Sequence, residues 1–263
     1  MISAGGIIML KKENYPILEF DDCKEAIINP NVHQKEIGIL PYNKLIISFF
    51  KEAIDMLLQD NKIEKYLTVS GENDIVLYKF IDSDVLLMHG TVGCPACAGN
   101  LDGLTGVGIE KVMFCGGGGV LDKSIKVGQL LVVEGAIRDE GFSYHYVEPS
   151  RIIYSQKDMK DTICSYLKDN NIPYIEGITW TTDAFYRETK ERIELRKQEG
   201  AKIVEMEQAG CIAVAQFRNI KYGGIIYAGD DVSQEVWDTR SWQSRKSIRY
   251  SLIELCKELV DII

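Results

Sequence analysis

Residues 111–119 read KVMFCGGGG, an apolar run of strand length that passes directly into four glycines. A short apolar run bounded by a turn signal is the pattern of a strand covered on both faces. Lys111–Cys115 is therefore read as a strand, and Gly116–Gly119 as the loop that leaves it. Working outward, Pro95–Leu104 reads as a helix on one side and Leu130–Ile137 as a second buried strand on the other. Upstream, Leu45, Ile46, Phe49, Phe50, Ala53 and Leu57 recur at helical spacing and predict one amphipathic helix over 42–61. Lys65–Val69, Ile75–Phe80 and Val85–His89 read as short strands, the first two separated by the turn signal SGEN at 70–73.

Downstream the alternation continues. Asp158–Asp169, Thr189–Gln198 and Ala209–Phe217 read as helices, with strands at Tyr174–Thr179, Ile203–Val204 and Gly224–Ala228. Arg240–Ile263 reads as one closing helix. Alternating strands and helices predict an α/β fold, a central mixed sheet flanked by helices on both faces. Composition shifts nowhere along the chain, so residues 1–263 are read as a single domain. Residues 1–15 are a candidate flexible tail, with Met9 as an alternative start. In such folds ligands sit beyond the carboxyl ends of the strands. Those ends are the Gly90 loop, Gly116–Gly119, Thr181–Asp183, Glu205–Glu207 and Gly229–Asp231.

Bulk properties exclude several classes of function. A formal net charge of -9 argues against a nucleic-acid backbone or an anionic membrane as partner. No apolar run approaches the ~20 residues that cross a bilayer. Seven cysteines, irregularly spaced and with no evident secretory signal, read as reduced thiols of a cytoplasmic protein. Cys94 and Cys97 form a C-x-x-C motif, but no second pair accompanies it, so neither a metal nor a cofactor is expected.

Five segments, in order, resemble the purine nucleoside and uridine phosphorylase superfamily. GTVGCP at 90–95 is similar to its G-x-G-x-P turn, and GGGGVL at 116–121 stands where it has a G-[ST]-x-G loop. VGQLLV at 127–132, TTDAFY at 181–186 and VEME at 204–207 complete the set, the last being the most specific. The resemblance implies a phosphorylase-like fold and a pentosyl transfer that cleaves the N-glycosidic bond of a nucleoside. Phosphate would be the co-substrate, and the chain would form a homo-oligomer, a dimer or a trimer of dimers.

The chemistry assigns expected roles. The sugar acquires oxocarbenium character, so its hydroxyls must be held and its charge stabilised. A carboxylate does both. The resemblance makes Glu207 that residue, with Met206 packed on the sugar and Phe185 stacked on base or sugar. Glu205 is the second carboxylate of the segment and reads more readily as a helix-start residue. Tyr186 reads as packing. Asp230 occupies the position of an aspartate in the purine enzymes, where an acid assists departure of the base, and Asp231 beside it would help raise its pKa. Arg245 would assist it, with Arg240 as competitor. A uracil-reading Gln and Arg are not matched after Phe185-Tyr186; only Arg192 comes near. A purine base is therefore expected over uracil.

The phosphate site departs from the family pattern. Its N-terminal G-D-P-x-x-R loop would fall at 39–44, ILPYNK, which has neither the glycine nor the arginine. Phe114 replaces a strand arginine, and Gly117 replaces a loop hydroxyl. Backbone N–H groups of Gly117 and Gly118 are candidates for holding an anion, with Thr91, Lys44, Arg138 and His145 as further substrate contacts. His33 is a candidate for reaching a 5′-hydroxyl across an interface. The water-activating glutamate of hydrolytic relatives is not evident either, which leaves phosphorolysis and hydrolysis both open, beside a nucleoside-binding protein of weak activity.

Overall fold

The segment expected to be one helix over 42–61 is two elements, a strand at Lys44–Ser48 and a helix at Lys51–Gln59. Leu45, Ile46 and Ile47 are completely buried. A run of branched apolar residues hidden on both sides fits a central strand better than a helix, which would bury one stripe only. The computed structural model describes residues 10–71 and 74–263. The possible start at Met9 and much of the candidate tail lie outside those residues, as do two residues of the 70–73 turn.

In chain order the elements are α1 (Gln34–Ile37), β1 (Lys44–Ser48), α2 (Lys51–Gln59), β2 (Ile63–Val69), β3 (Ile75–Phe80), β4 (Val85–His89), α3 (Cys94–Thr105), β5 (Lys111–Val120) and β6 (Leu130–Asp139). They continue with β7 (Ile152–Tyr154), α4 (Lys157–Asp169), β8 (Tyr174–Thr182), α5 (Lys190–Gln198), β9 (Ala201–Glu205), α6 (Gln208–Arg218), β10 (Lys221–Asp231) and α7 (Lys246–Ile262). This is a single α/β domain around a mixed sheet in the order β10-β6-β8-β9-β5-β1-β4-β3-β2. β10 also pairs with β5, so five strands close into a barrel and the remainder extend from it as an open wing.

Side chains alternate across the strands and feed two cores. Leu45 and Ile47 of β1, with Val112 and Phe114 of β5, pack beneath α3 and α6. Ile46, Met113 and Cys115 point the other way, against α2, α4 and α7. A helix on each face of the strands is what a double-sided sheet requires.

The four glycines are not a loop. They lie within β5, which runs on to Val120. A Cβ on Gly118 would stand 2.5 Å from the Val204 carbonyl oxygen, so only glycine lets β9 cross this close. α7 begins at Lys246, not at Arg240, because Arg240 and Ser241 adopt left-handed φ of 49° and 51°. α5 begins at Lys190 because Thr189 caps it, its hydroxyl accepting from the Arg192 N–H.

Candidate active site

β5 pairs with β1 up to Cys115 and with β9 only from Gly119 onward. Between those registers, Gly116–Gly118 face a cavity of about 750 Å³. The cavity thus opens where neighbouring strands part, beyond their ends. Its wall carries Glu205, Met206 and Glu207 from the β9–α6 junction and Asp230 from β10. Phe185, Tyr186, Glu188, Gln234 and Trp237 form the rim, and Phe49, Phe50 and His89 the far end.

The two glutamates do different things. Glu205 is buried and accepts four hydrogen bonds. They come from the Glu207 N–H at 2.6 Å, the Gln208 N–H at 2.7 Å, Thr179 Oγ1 at 2.9 Å and Thr181 Oγ1. It caps the start of α6 and anchors it to β8. Its carboxylate has no acceptor capacity left over for a sugar, which corrects its placement among the substrate contacts. Glu207 is also buried, and among the described residues the Gly93 N–H donates to its Oε1 at 2.7 Å. Gly93, the residue that precedes α3, has a positive φ of 94°, the conformation that aims this N–H. Among the described residues no side-chain hydrogen bond reaches Oε2 of Glu207, which faces the cavity side of the β9–α6 junction. Burial raises its pKa, and the charge of Glu205 adds to that.

Asp230 reaches the cavity through an irregularity in β10, whose register against β5 shifts between Ala228 and Asp231. Such a shift re-aims a side chain. Oδ2 of Asp230 accepts from the Trp237 indole N–H at 2.6 Å. Asp231 points elsewhere: its carboxylate accepts from the Ser233 N–H, and its backbone pairs with Asp238. Phe185 is half exposed at the rim, its ring 3.9 Å from that of Tyr186. Tyr186 is 87% exposed rather than packed in the interior, which corrects the expectation made for it.

Four expected contacts lie away from the cavity. Arg138 is buried, and its guanidinium donates to Ser143 and Ser150 hydroxyls and to the Val147 and Glu148 carbonyls. Those bonds tie down the 143–150 loop and occupy four of the five guanidinium N–H donors. His145 is exposed on that loop, outside the cavity. Thr91 lines a smaller cavity of about 300 Å³ with His33. Arg245 sits before the first turn of α7, exposed, and Arg240 donates to the Ile125 carbonyl. The arginine that reaches the cavity is Arg249, one helical turn further on. It is buried, paired with Glu52, and lies 4.7 Å above the Trp242 ring.

The anion site also differs from expectation. Lys44 begins β1, at the opposite end of that strand from the cavity, and is paired with Asp84 at 2.9 Å and Asp261 at 2.7 Å. The turn that does face the cavity is β1–α2, residues 48–51, and there Phe49 packs 5.2 Å from Phe114. Of the cationic side chains lining the cavity, Arg249 is spent on Glu52 and Lys190 stands 3.4 Å from Glu235 at the rim. His89 is held below its usual pKa by desolvation and by Lys51. Among the described residues, no group of three or more His, Cys, Asp or Glu side chains is placed to hold a metal. The seven cysteines are free, and Cys97 and Cys211 approach to 3.8 Å between sulfurs.

A family model described as the phosphorylase superfamily matches residues 45–260, nearly the whole barrel and wing. This chain belongs to that superfamily. It is similar to the guanosine phosphorylase of Halorubrum lacusprofundi, 28% identical over 154 residues, covering 59% of this chain and 64% of that protein. The match thus spans somewhat under two thirds of that relative. In structure it is similar to a uridine phosphorylase from Vibrio fischeri, TM-score 0.71 at 18% identity, covering 89% of this chain and 94% of the other. It is likewise similar to a futalosine hydrolase mutant of Helicobacter pylori, TM-score 0.68 at 19% identity, covering 84% and 100%. One fold therefore serves proteins named phosphorylase and hydrolase.

Sequence reasoning missed Glu188, Trp237 and Arg249. Glu188 stands two residues beyond the Phe185-Tyr186 pair and looks like part of a charged helix. Trp237 belongs to a segment without periodicity. In the structure its 62% exposure, its place in the cavity lining and its N–H on Asp230 mark it as part of the rim.

Proposed function

We propose that this chain cleaves the N-glycosidic bond of a purine nucleoside. The observation that carries this reading is the pair of carboxylates in one cavity: Glu207, buried with one oxygen unengaged among the described residues, and Asp230 at the end of β10, with Phe185 lining the same cavity. Glu207 accepts hydrogen bonds from the ribose hydroxyls and stabilises positive charge as the bond lengthens. Met206 packs on the sugar, and Phe185 stacks on the base. Asp230 directs a donor or acceptor edge of the purine. Gly117 and Gly118 let the nucleoside approach the sheet itself.

Phosphate is the acceptor in the first reading, which makes the chain a pentosyltransferase of purine salvage; the name of its Halorubrum relative supports this. Water is the second reading. The specific observation favouring it is the β1–α2 turn, where Phe49 and Phe50 put aromatic surface at the far end of the cavity, and the Arg249 that lines it is already paired with Glu52. In either reading the protein acts without a cofactor in the cytoplasm, as a homo-oligomer.

The test is product identity. The protein is incubated with guanosine, inosine, adenosine and uridine, with and without phosphate, and the sugar is identified by NMR. Ribose 1-phosphate formed only with phosphate is expected in the first reading. Free ribose formed at equal rates in both conditions selects the second. Intact purine nucleosides in every sample would end the proposal.

A further inference from the structure

The C-x-x-C motif lies on α3, and its side chains meet α6. Cys94 packs against Gly210, and Cys97 Sγ stands 3.8 Å from Cys211 Sγ. All three cysteines are completely buried. Burial pushes the Cys94 thiol well above its usual range, so its sulfur is an inert packing atom rather than a nucleophile. The helices cross closely here. A Cβ on Gly210 would stand 2.8 Å from Cys94 Sγ, 2.9 Å from Cys94 Cβ and 3.1 Å from Ala98 Cβ. Gly210 lies inside α6 without a positive φ, where glycine weakens a helix relative to alanine. Close packing, not backbone conformation, therefore accounts for it.

The same two helices carry both ends of the hydrogen bond from the Gly93 N–H to Glu207 Oε1, 2.7 Å long. Gly93 precedes α3 and Glu207 precedes α6. Each is joined to a cysteine one turn on. The Cys97 N–H donates to the Gly93 carbonyl at 2.9 Å, and the Cys211 N–H to the Glu207 carbonyl at 3.0 Å. The sulfur contact thus stands one helical turn behind the bond in the site, on the same pair of helices. Packed interiors transmit strain, so spacing imposed at one turn is felt at the next.

Resting on the role proposed for Glu207 in nucleoside cleavage, we propose that Gly210 and the thiols of Cys94, Cys97 and Cys211 are positioning residues. The spacing they impose between α3 and α6 decides whether the Gly93 N–H reaches the Glu207 carboxylate. Heavy atoms in contact settle about 3.5–4 Å apart, so a methyl at position 210 must draw back from Cys94 by about 1 Å. Cys94 Cβ is fixed to the α3 backbone and cannot turn aside, so the helices must part. A donor–acceptor distance of 2.7 Å lengthened by that amount is no longer a hydrogen bond.

The test puts a methyl into this contact and then makes room for it. In Gly210→Ala, kcat on guanosine should fall about 100-fold with KM within about 3-fold, the scale of a small misplacement at a reacting centre. The preference for guanosine over 2′,3′-dideoxyguanosine should shrink about 10-fold, a change that a loss of packing away from the ribose would not produce. The Gly93 amide proton, followed by NMR, should exchange about 10-fold faster than in wild type. Adding Cys94→Gly clears both Cys94 atoms that the methyl meets, and should return all three readings to within about 3-fold of wild type. Gly99→Ala, on α3 where a Cβ meets nothing within 4 Å, should change none of them. Wild-type exchange at Gly93 in folded Gly210→Ala would overturn the inference. So would a loss of turnover that keeps the wild-type preference, or one that Cys94→Gly does not relieve. Should Gly210→Ala not fold, Cys211→Ala takes one sulfur out of the contact and should speed exchange at Gly93 about 3-fold, and wild-type exchange there would overturn the inference instead. The amide reading is independent of turnover: if wild-type protein cleaves no nucleoside, the functional reading falls, and exchange at Gly93 still tests the spacing.

Discussion

The deep wall of the cavity and its rim are built on different principles. In the wall, Glu205 and Glu207 sit where β9 meets α6, buried and tied by backbone N–H groups and threonine hydroxyls. In the rim, Phe185, Tyr186 and Trp237 are half or more exposed, and the contacts among them are few. A buried polar group without a partner is costly, so the wall tolerates little change, whereas rim side chains trade one solvated state for another. The wall therefore fixes geometry, and the rim selects what enters.

Substitutions should separate the two regions, beginning with the largest effect. Glu205→Ala leaves two backbone N–H groups at the start of α6 without an acceptor. It should destabilise the protein by about 3 kcal/mol, seen as a lower midpoint in urea unfolding. An unchanged midpoint would mean that the cap on α6 is dispensable. Glu207→Gln should leave that midpoint nearly in place and lower kcat/KM on guanosine about 100-fold at pH above about 8, where the buried carboxyl is ionised, because it removes a charge aimed at the developing cation. Phe185→Ala should raise KM about 10-fold with little change in kcat, the loss of one stacking surface of about 1 kcal/mol. Trp237→Phe keeps a ring and deletes the N–H to Asp230, so a kcat loss of about 3-fold is expected. A Trp237 effect larger than that of Glu207 would invert the distinction between wall and rim.

The same contrast explains what the sequence disclosed. The wall lies on strands and a helix, and its residues come in a fixed local order: Val204, Glu205, Met206 and Glu207 are contiguous, and Asp230 follows an apolar strand. Such order is visible in one dimension. The partition between Glu205 and Glu207 is not, because it depends on Thr179 and Thr181 of β8, far away in the chain. Lys111–Cys115 reads correctly as a strand, but its continuation through Gly116–Gly119 depends on how closely β9 and β10 approach. The helix expected over 42–61 misleads for a related reason. Leu45, Ile46 and Ile47 are consistent with either element until the sheet on both sides of them is known. Arg245 lies outside the cavity that Arg249 lines, and nothing in the sequence marks the left-handed residues that delay α7. Arg138 fails because its partners are four groups of its own loop.

The central claim is that Glu207 holds the sugar of a nucleoside whose glycosidic bond is cut. Its most direct test is the rate of base release from guanosine against 2′,3′-dideoxyguanosine, for wild type and for Glu207→Gln. Wild type should prefer guanosine by about 100-fold, the worth of charge-assisted bonds from two hydroxyls, and the preference should shrink to about 10-fold or less in the variant. The same preference in both proteins would contradict the assignment of Glu207 to the ribose.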